Sequence, residues 1–336
     1  MSANLDTTLG FVALAFTGPR SKIWHGTGNS VDAKVAELGR SLTIEEWATL
    51  SGSDFTVEAR PLFYTDATGL RHDYPDRFAN VRADTDAALG LVSDRYSLVQ
   101  PLDVQETFAA IISADDRFQL TTMGSLDGGK RVWAQAEFTG EQTIVAGDRH
   151  RAKLLMSTTF DTTSPTRLQG CMERVVCENT IRVAMGEHAP TVDVRHNTKF
   201  DRVSAIKKLA KIAEGFERYK LIGDALAQTV MGADAVSAFI RGMLDIPVDA
   251  KKEDVSTRKH NQRQAIIDAM LISCHERDVS GAANIDAFTA LQAITRYVDH
   301  DRDANNTSNR LFGSGAAFKD KALGLLMPMI QDKVAA

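Results

Sequence analysis

The chain has few cysteines, no long apolar run and no strong charge of one sign. Its three cysteines, Cys171, Cys177 and Cys274, include no CxxC pair, so they neither form a disulfide framework nor supply a zinc site. This cysteine usage favours a reducing compartment. The apolar run at residues 9–16 is too short to cross a membrane, and the acidic Asp6 precedes it where a signal peptide has basic residues. We therefore expect a cytoplasmic protein without a membrane segment.

The small net charge excludes a protein that coats nucleic acid with its whole surface. It is −5, from 39 basic and 44 acidic residues, and a surface of this kind does not attract a polyanion everywhere. The charge is nevertheless uneven along the chain. Residues 31–90 contain six Lys or Arg against eleven Asp or Glu, whereas residues 195–220 contain eight against three. A nucleic-acid-binding surface is therefore expected only in a local basic region.

Hydrophobic periodicity predicts an α+β protein, with a central antiparallel sheet of hairpins and a packed helix, followed by a mostly α-helical C-terminal half. Residues 118–160 form alternating segments separated by Asp-Gly-Gly, Thr-Gly and Gly-Asp turns, as hairpins do. After residue 200, apolar residues recur at the three- and four-residue spacing of amphipathic helices. We expect an N-terminal α/β region over residues 1–90, a sheet-plus-helix core over 91–200 and a helical region over 201–336.

Local signals predict three helices in the first two regions. Thr43 with Glu46, and Asp103 with Glu106, have the spacing of capping boxes, which open helices by bonding the first free backbone amides. In residues 172–186, apolar side chains recur at helical spacing, which predicts an amphipathic helix joining the sheet to the helical half. The cysteine within this segment is interpreted as a packing residue, because no base is evident beside it to activate a nucleophile.

Residues 124–131, GSLDGGKR, have the GxxxxGK spacing of a phosphate-binding loop. Arg131 occupies the place of the Ser or Thr that would hold magnesium, and the residues after it alternate like a strand instead of opening a helix. The Asp-Gly-Gly within the segment is typical of a hairpin turn. We therefore predict a turn between two strands and no phosphate-binding loop.

Three alternate acids, Asp299, Asp301 and Asp303, have the spacing that begins a calcium-binding loop. The remainder of that motif is missing, because Ala304 stands at its glycine position and Arg310 at the position of its bidentate glutamate. We interpret these acids as the solvated end of a helix.

Basic side chains form two groups, one around the later strands and one on the helix after residue 200. Such side chains would neutralise phosphates, while Trp133, Phe138 and Phe160 on neighbouring strands would stack bases. The predicted nucleic-acid-binding residues are Arg149, Arg151, Lys153, Arg167, Arg174, Lys207, Lys208 and Lys211. An alternative stays open, in which the three helical lysines form a solvated face and the aromatic rings belong to the core.

Several short segments follow one another in a recognisable order. They are RPLFY near residue 60, LGLVSDRYSLVQ, GSLDGGKRVWAQAEF, RVVCENTI, VRHNTKFDR, AITRYVDHDR and KDKALGLL. In this order, over about residues 47–326, the chain resembles a phage- and plasmid-related family whose shared region is known as a domain of unknown function, family 932. The resemblance implies a mobile-element setting and brings no activity, cofactor or catalytic residue with it.

The leading hypothesis is a nucleic-acid-binding protein that favours single strands in replication or recombination, forms homo-oligomers and works with host or phage replication proteins. In architecture only, the hairpins followed by a helix resemble phage single-strand annealing proteins, which hold DNA in a basic groove beside a small sheet. One alternative is an interaction protein whose acidic N-terminal region blocks a host defence or replication factor. Another is an enzyme of unknown reaction that uses Glu173, Glu178 and His196. No catalytic residue, metal site or cofactor is assigned.

Overall fold

The computed structural model of the chain describes residues 13–18, 28–139, 143–145, 147–174, 180–182, 191–194, 202–251, 254–276, 285–303 and 306–334. The chain divides into two compact units. The first contains residues 1–140, 153–169 and 191–211, and the second contains residues 141–152, 170–190 and 212–336. Antiparallel and mixed sheets occupy the N-terminal half and helices the C-terminal half, which confirms the α+β prediction.

The secondary structure begins with a mixture of strands and short helices and ends with longer helices. The strands are β1 (Leu14–Phe16), β2 (Asn29–Ser30), β3 (Val57–Thr65), β4 (Arg71–Arg82), β5 (Ala88–Ser93), β6 (Phe118–Leu126), β7 (Arg131–Phe138), β8 (Thr143–Val145), β9 (Asp148–Thr159), β10 (Thr166–Arg174), β11 (Thr180–Arg182), β12 (Thr191–Val194), β13 (Val230–Met231) and β14 (Ile285–Asp286). The helices are α1 (Val31–Leu38), α2 (Ile44–Leu50), α3 (Pro101–Ile112), α4 (Arg202–Ala227), α5 (Ala233–Met243), α6 (Thr257–Glu276), α7 (Ala287–Arg296), α8 (Thr307–Leu311), α9 (Ser314–Leu326) and α10 (Gln331–Val334).

The larger sheet of the first unit has the order β10-β9-β7-β6-β1-β2, and β12 pairs with β10. Helix α3 packs against β6 and β7, and its Phe108 and Ile111 are fully buried. Ala134 and Ala136, which alternate with larger residues along β7, are buried as well. A helix and a sheet can approach closely when the side chains between them are small and fill the space.

A tight turn at Asp127–Gly129 joins β6 to β7. Asp127, Gly128 and Gly129 have φ angles of 56°, 69° and 96°, which glycine adopts without strain and Asp tolerates. The residues that follow continue as a strand. The prediction of a hairpin turn in place of a phosphate-binding loop is therefore confirmed.

The smaller sheet of the first unit has the order β3-β4-β5. Its inner end is anchored by a hydrophobic cluster of Phe55, Val57, Leu89, Val132 and Phe160. The Gln100 side chain extends this anchorage, because its amide accepts from the Val57 backbone N–H at 2.9 Å and donates to the Val57 carbonyl at 3.0 Å. At the inner end of edge strand β3, the Gln100 amide thus makes the backbone hydrogen bonds that a neighbouring strand would otherwise make.

The second unit is built around α7, which contacts α6 and α9. Phe288, Leu291 and Ile294 on α7 are buried. They are spaced three residues apart, so they lie along one side of the helix. His150 packs between the rings of Tyr219 and Phe288, with centroid distances of 5.8 and 5.9 Å. After α7 the chain continues into a π-helical turn, Tyr297–Arg302.

The prediction of a helix over residues 172–186 is wrong. Strand β10 continues to Arg174, and β11 pairs with it antiparallel, Cys171 opposite Arg182 and Met172 opposite Ile181. β-Branched residues are frequent here, and they favour strands because their χ1 angles are restricted in a helix. Residues 175–179 and 183–190 lie outside the described part of the chain.

Candidate functional site

The hairpin of β3 and β4 changes direction at an irregularity near its middle. Pro61 pairs with Phe78, but the next residue, Leu62, pairs with Tyr74, so three residues of β4 have no counterpart on β3. One of them, Asp76, has a φ angle of 59°. A bulge of this kind bends a hairpin and re-aims the strands beyond it. We call the hairpin beyond the bulge, residues 62–74, the arm.

Both faces of the arm are open to solvent. One face, which we call the aromatic face, carries Leu62, Tyr64, His72 and Tyr74, because Leu62 lies opposite Tyr74 and Tyr64 lies opposite His72. Tyr64 and Tyr74 are each 52% exposed. Exposed apolar side chains that lie next to one another mark an interaction surface, whereas singly exposed ones are common on any protein.

The rings of the aromatic face are already arranged as a platform. Tyr64 and His72 stack across the two strands, with a centroid distance of 5.2 Å and an interplanar angle of 21°. Tyr74 is the diagonal neighbour of Tyr64 on the same face, a separation of roughly 7–8 Å between backbones. Flat rings at this spacing can receive the planar faces of other rings.

The tip of the arm is held by Asp66. One carboxylate oxygen accepts from the Thr68 hydroxyl at 2.6 Å and from the backbone N–H groups of Thr68 and Leu70 at 2.9 and 3.0 Å. The other lies 2.7 Å from Nε2 of His72. Hydrogen bonds from Thr68 and then from His72 lower the pKa of Asp66 to about 2. These bonds fix the turn and the histidine ring, so the platform is pre-organised.

Three arginines lie near the base of the arm, and one of them is held in ion pairs. At the base of the arm Arg77 is exposed and pairs in register with Ser93, and Arg95 is exposed two residues further along. Arg60 is held by two carboxylates, those of Glu58 and Asp86, at 3.0 and 2.7 Å. Two arginines are therefore available there for contacts with an anionic ligand.

The predicted basic site is only partly exposed. Arg149 is exposed and Arg151 is half-buried on β9, whereas Lys153 on the same strand is 2% exposed. Arg167 is engaged by Asp193, with two bonds of 2.6 Å between guanidinium and carboxylate. The side chains of the other four predicted residues, Arg174, Lys207, Lys208 and Lys211, lie outside the described part of the chain.

The aromatic residues predicted to stack bases on the larger sheet lie in or near the core. Trp133 and Phe160 are buried, and Phe160 packs edge-on against Phe55 at 6.1 Å. Phe138 is half-buried beneath the guanidinium of Arg117, 5.1 Å from the ring centroid. These three rings therefore offer little open surface for a base.

The structure assigns no chemical role to the calcium-like acids or to the residues of the enzyme hypothesis. The interpretation of the three alternate acids as a solvated helix end is wrong for Asp299 and Asp303, which are 4% and 8% exposed, and Asp299 pairs with Lys319 at 2.6 Å. No group of His, Cys, Asp or Glu in the described ranges is arranged to hold a metal. Glu173 is buried on β10, whereas Glu178 and His196 lie outside the described residues. Arg131, which stands at the magnesium-ligand position of the GxxxxGK spacing, is buried, and this burial lowers its pKa to about 10.

No helix in the described part of the chain combines the length and apolar composition needed to cross a membrane.

Positive charge along the sequence does not indicate the arm. Residues 31–90, which contain Phe63, Tyr64 and Tyr74, are acidic in total. The available signal was the aromatic content of RPLFYT and RHDYPDR, two short segments either side of a Gly-bearing turn. That pattern indicates a hairpin, but it does not show that the rings stay exposed.

Comparison with known families gives one match. The model of a family described as Domain of unknown function (DUF932) matches residues 88–314. No curated protein and no solved structure matches the chain. The arm precedes the matched region, which begins at β5 and ends at the start of α9.

Proposed function

We propose that this chain, which belongs to the DUF932 family of domains of unknown function, binds single-stranded nucleic acid on the aromatic face of its arm. The observation that carries the proposal is the stack of Tyr64 on His72, with Tyr74 beside it, on a hairpin face open to solvent. Bases of a single strand are free to stack on such rings, whereas bases of a duplex are already stacked on each other.

The expected affinity of one arm is modest. Each base stacked on an aromatic ring contributes about 1–3 kcal/mol, so two bases on Tyr64 and Tyr74 contribute about 2–6 kcal/mol. A Kd of 1 µM needs about 8.2 kcal/mol, so the phosphate contacts of Arg77 and Arg95 must add to the stacking. Several arms on one strand would bind more tightly than one, because each bound arm raises the local concentration of the next.

The proposal includes a setting, the cytoplasmic replication or recombination of a phage, prophage or plasmid, where single strands are exposed. It is supported by the resemblance of the ordered sequence markers to that family, and by the single-strand preference that a stacking platform favours.

The dependence of the binding constant on salt concentration distinguishes a site on the arm from a site on the basic residues predicted on the later strands and on α4. Each phosphate neutralised on a single strand steepens the plot of log K against log salt by about 0.7. Two arginines therefore predict a slope of about −1.4, whereas eight basic contacts predict about −5.6. We expect a shallow slope, measured by fluorescence anisotropy of a labelled oligonucleotide between low and physiological salt.

Tyr64→Ala should weaken binding of a short single strand by about 1–3 kcal/mol, or roughly 5- to 150-fold, because one stacking ring is lost. The matched control is Leu91→Ala, since Leu91 is a large apolar side chain that is 64% exposed on β5, outside the arm. Absence of binding by the wild-type chain at low salt would overturn the proposal. Equal effects of the two variants would show that the aromatic face is not the site.

A protein ligand is the competing outcome of this experiment. If the wild-type chain binds no oligonucleotide but retains one stoichiometric protein from host lysate after nuclease treatment, and Tyr64→Ala loses it, the interaction-protein hypothesis replaces the present one. The exposed rings would then serve as anchors in a pocket of that partner.

A further inference from the structure

The face of the arm opposite the aromatic platform has a different composition. We call it the Phe63 face, because it carries Phe63 and Thr65 from β3 and Arg71 and Asp73 from β4. Phe63 lies directly opposite Asp73, and Thr65 lies opposite Arg71. The Arg71 guanidinium is positioned 3.7 Å from the centroid of the Phe63 ring. An exposed ring thus has one positive and one negative side chain beside it.

This arrangement is self-complementary. Arg71 and Asp73 are two residues apart on one strand, about 6.6–6.8 Å along it, so both point to the same side. A two-fold axis that crosses the strands midway between the Phe63–Asp73 and Thr65–Arg71 pairs would set each Arg71 against the Asp73 of the other copy, and each Phe63 against the Thr65 of the other copy. An isologous interface has this property, since residue i of one copy contacts residue j of the other and the reverse.

We propose that two copies of this chain associate through their Phe63 faces, with Phe63 packed on Thr65 of the second copy and Arg71 paired with its Asp73. The face carries no net charge, so it neither attracts a polyanion nor repels its own copy. No ion pair within the described part of the chain engages Asp73 or Arg71, and the Arg71 guanidinium lies over the Phe63 ring of its own arm.

Two copies are expected to pair through their Phe63 faces and not by hydrogen bonds between the edges of their β3 strands. Pro61 has no N–H to donate, and it stands at the bulge in the middle of that edge strand. The inner end is already bonded to the Gln100 amide through the backbone of Val57. A second strand would therefore find an interrupted row of backbone groups along β3.

The proposal goes beyond nucleic-acid binding, because dimerisation is measured without any nucleic acid. It also leaves the aromatic face of each copy open, so a dimer would present two platforms on opposite sides. Two platforms in one particle can hold two strands, or two segments of the same strand.

A charge exchange tests the pairing by sedimentation velocity over a concentration series. Arg71→Asp alone and Asp73→Arg alone should each raise the dimer dissociation constant at least tenfold, because like charges then face each other across the axis. An equimolar mixture of the two variants should restore dimers, and so should the double variant Arg71→Asp/Asp73→Arg. All the substituted side chains are exposed, and circular dichroism confirms that the variants fold.

Two further variants complete the test. Phe63→Ala should weaken the dimer, whereas Tyr64→Ala on the aromatic face should leave it unchanged. A wild-type chain that stays monomeric at every concentration would overturn the proposal. So would single charge variants that associate as well as the wild type, or a mixture that fails to restore association. Oligonucleotide binding is measured separately, so either proposal can fail alone.

Discussion

Replacement of Lys319 by alanine is expected to lower the free energy of unfolding by about 3–5 kcal/mol, because it leaves a buried carboxylate without the ammonium group that it contacts. Nζ of Lys319 lies 2.6 Å from Oδ1 of Asp299, and the two side chains are 2% and 6% exposed. Burial lowers the pKa of Lys319, and the Asp299 charge opposes that shift. Arg310 donates to the Asp299 carbonyl at 3.2 Å, so the cluster joins the π-helical turn to α8 and α9.

The matched control for this change is Lys321→Ala, two residues further along the same helix. Lys321 pairs with Asp245 at 2.7 Å, but the Asp245 side chain is 83% exposed, so solvent screens the pair and its loss should cost less than about 1 kcal/mol. The double variant Lys319→Met/Asp299→Leu should regain part of the lost stability, since both partners of the pair are removed together, while buried Arg310 loses the Asp299 charge and keeps that of Asp303. Urea denaturation measures all three. A cost for Lys319→Ala equal to that for Lys321→Ala would contradict a buried ion pair.

Gly90→Val is expected to destabilise the first unit by about 3 kcal/mol, the upper part of the range for overpacking. A Cβ atom at Gly90 would stand 2.4 Å from Cα and 2.7 Å from Cβ of Asp161, and 3.1 Å from the carbonyl oxygen of Phe160. The Asp161 backbone has little freedom to retreat, because Nδ2 of Asn80 donates to that same Phe160 carbonyl at 2.8 Å.

Gly324→Ala is the control for Gly90→Val. Nothing lies within 4 Å of a Cβ at Gly324, and alanine is the better helix former, so this change should be neutral or stabilise by up to about 1 kcal/mol. Chemical denaturation followed by circular dichroism compares the two. If Gly90→Val unfolds at the wild-type denaturant concentration, the close approach of β5 to the 160–165 segment is not present in solution.

Local chemistry made part of the fold predictable from sequence. The capping box of Thr43 and Glu46 opens α2 as predicted, because both of its hydrogen bonds depend on residues three apart. Helix α3 was also predicted, but it begins at Pro101, where Asp103 is its third residue and not its cap. Proline fits a first helical position, since its missing N–H has no partner there.

Predictions that depended on tertiary pairing fared worse. Apolar spacing in residues 172–186 fits a helix, but β10 and β11 pair across the segment, and backbone pairing decides the outcome when both patterns are present. The π-helical turn and the Lys319–Asp299 pair could not be foreseen from spacing, because the partners are 20 residues apart on different helices.

The candidate site shows the same limit. Counting charge led to Arg149 and Arg167, but it could not show that Arg167 would be engaged by Asp193 on a strand 26 residues away. The sequence also does not show which aromatic side chains are exposed, so it cannot distinguish rings of the core from rings that stack on bases. Tyr64 and Tyr74 are exposed because both faces of the arm are open to solvent, and which rings share a face depends on the strand register, which the sequence alone does not specify.

The location of bound nucleic acid is the most direct test of the proposed function. A single-stranded oligonucleotide carrying bromodeoxyuridine would be bound, cross-linked by ultraviolet light and mapped by mass spectrometry of the digested protein. We predict cross-links within residues 62–74, at Tyr64 or Tyr74, and their loss in the Tyr64→Ala/Tyr74→Ala variant. Cross-links confined to peptides that contain Arg149 and Arg151, or to α4, would contradict binding at the arm.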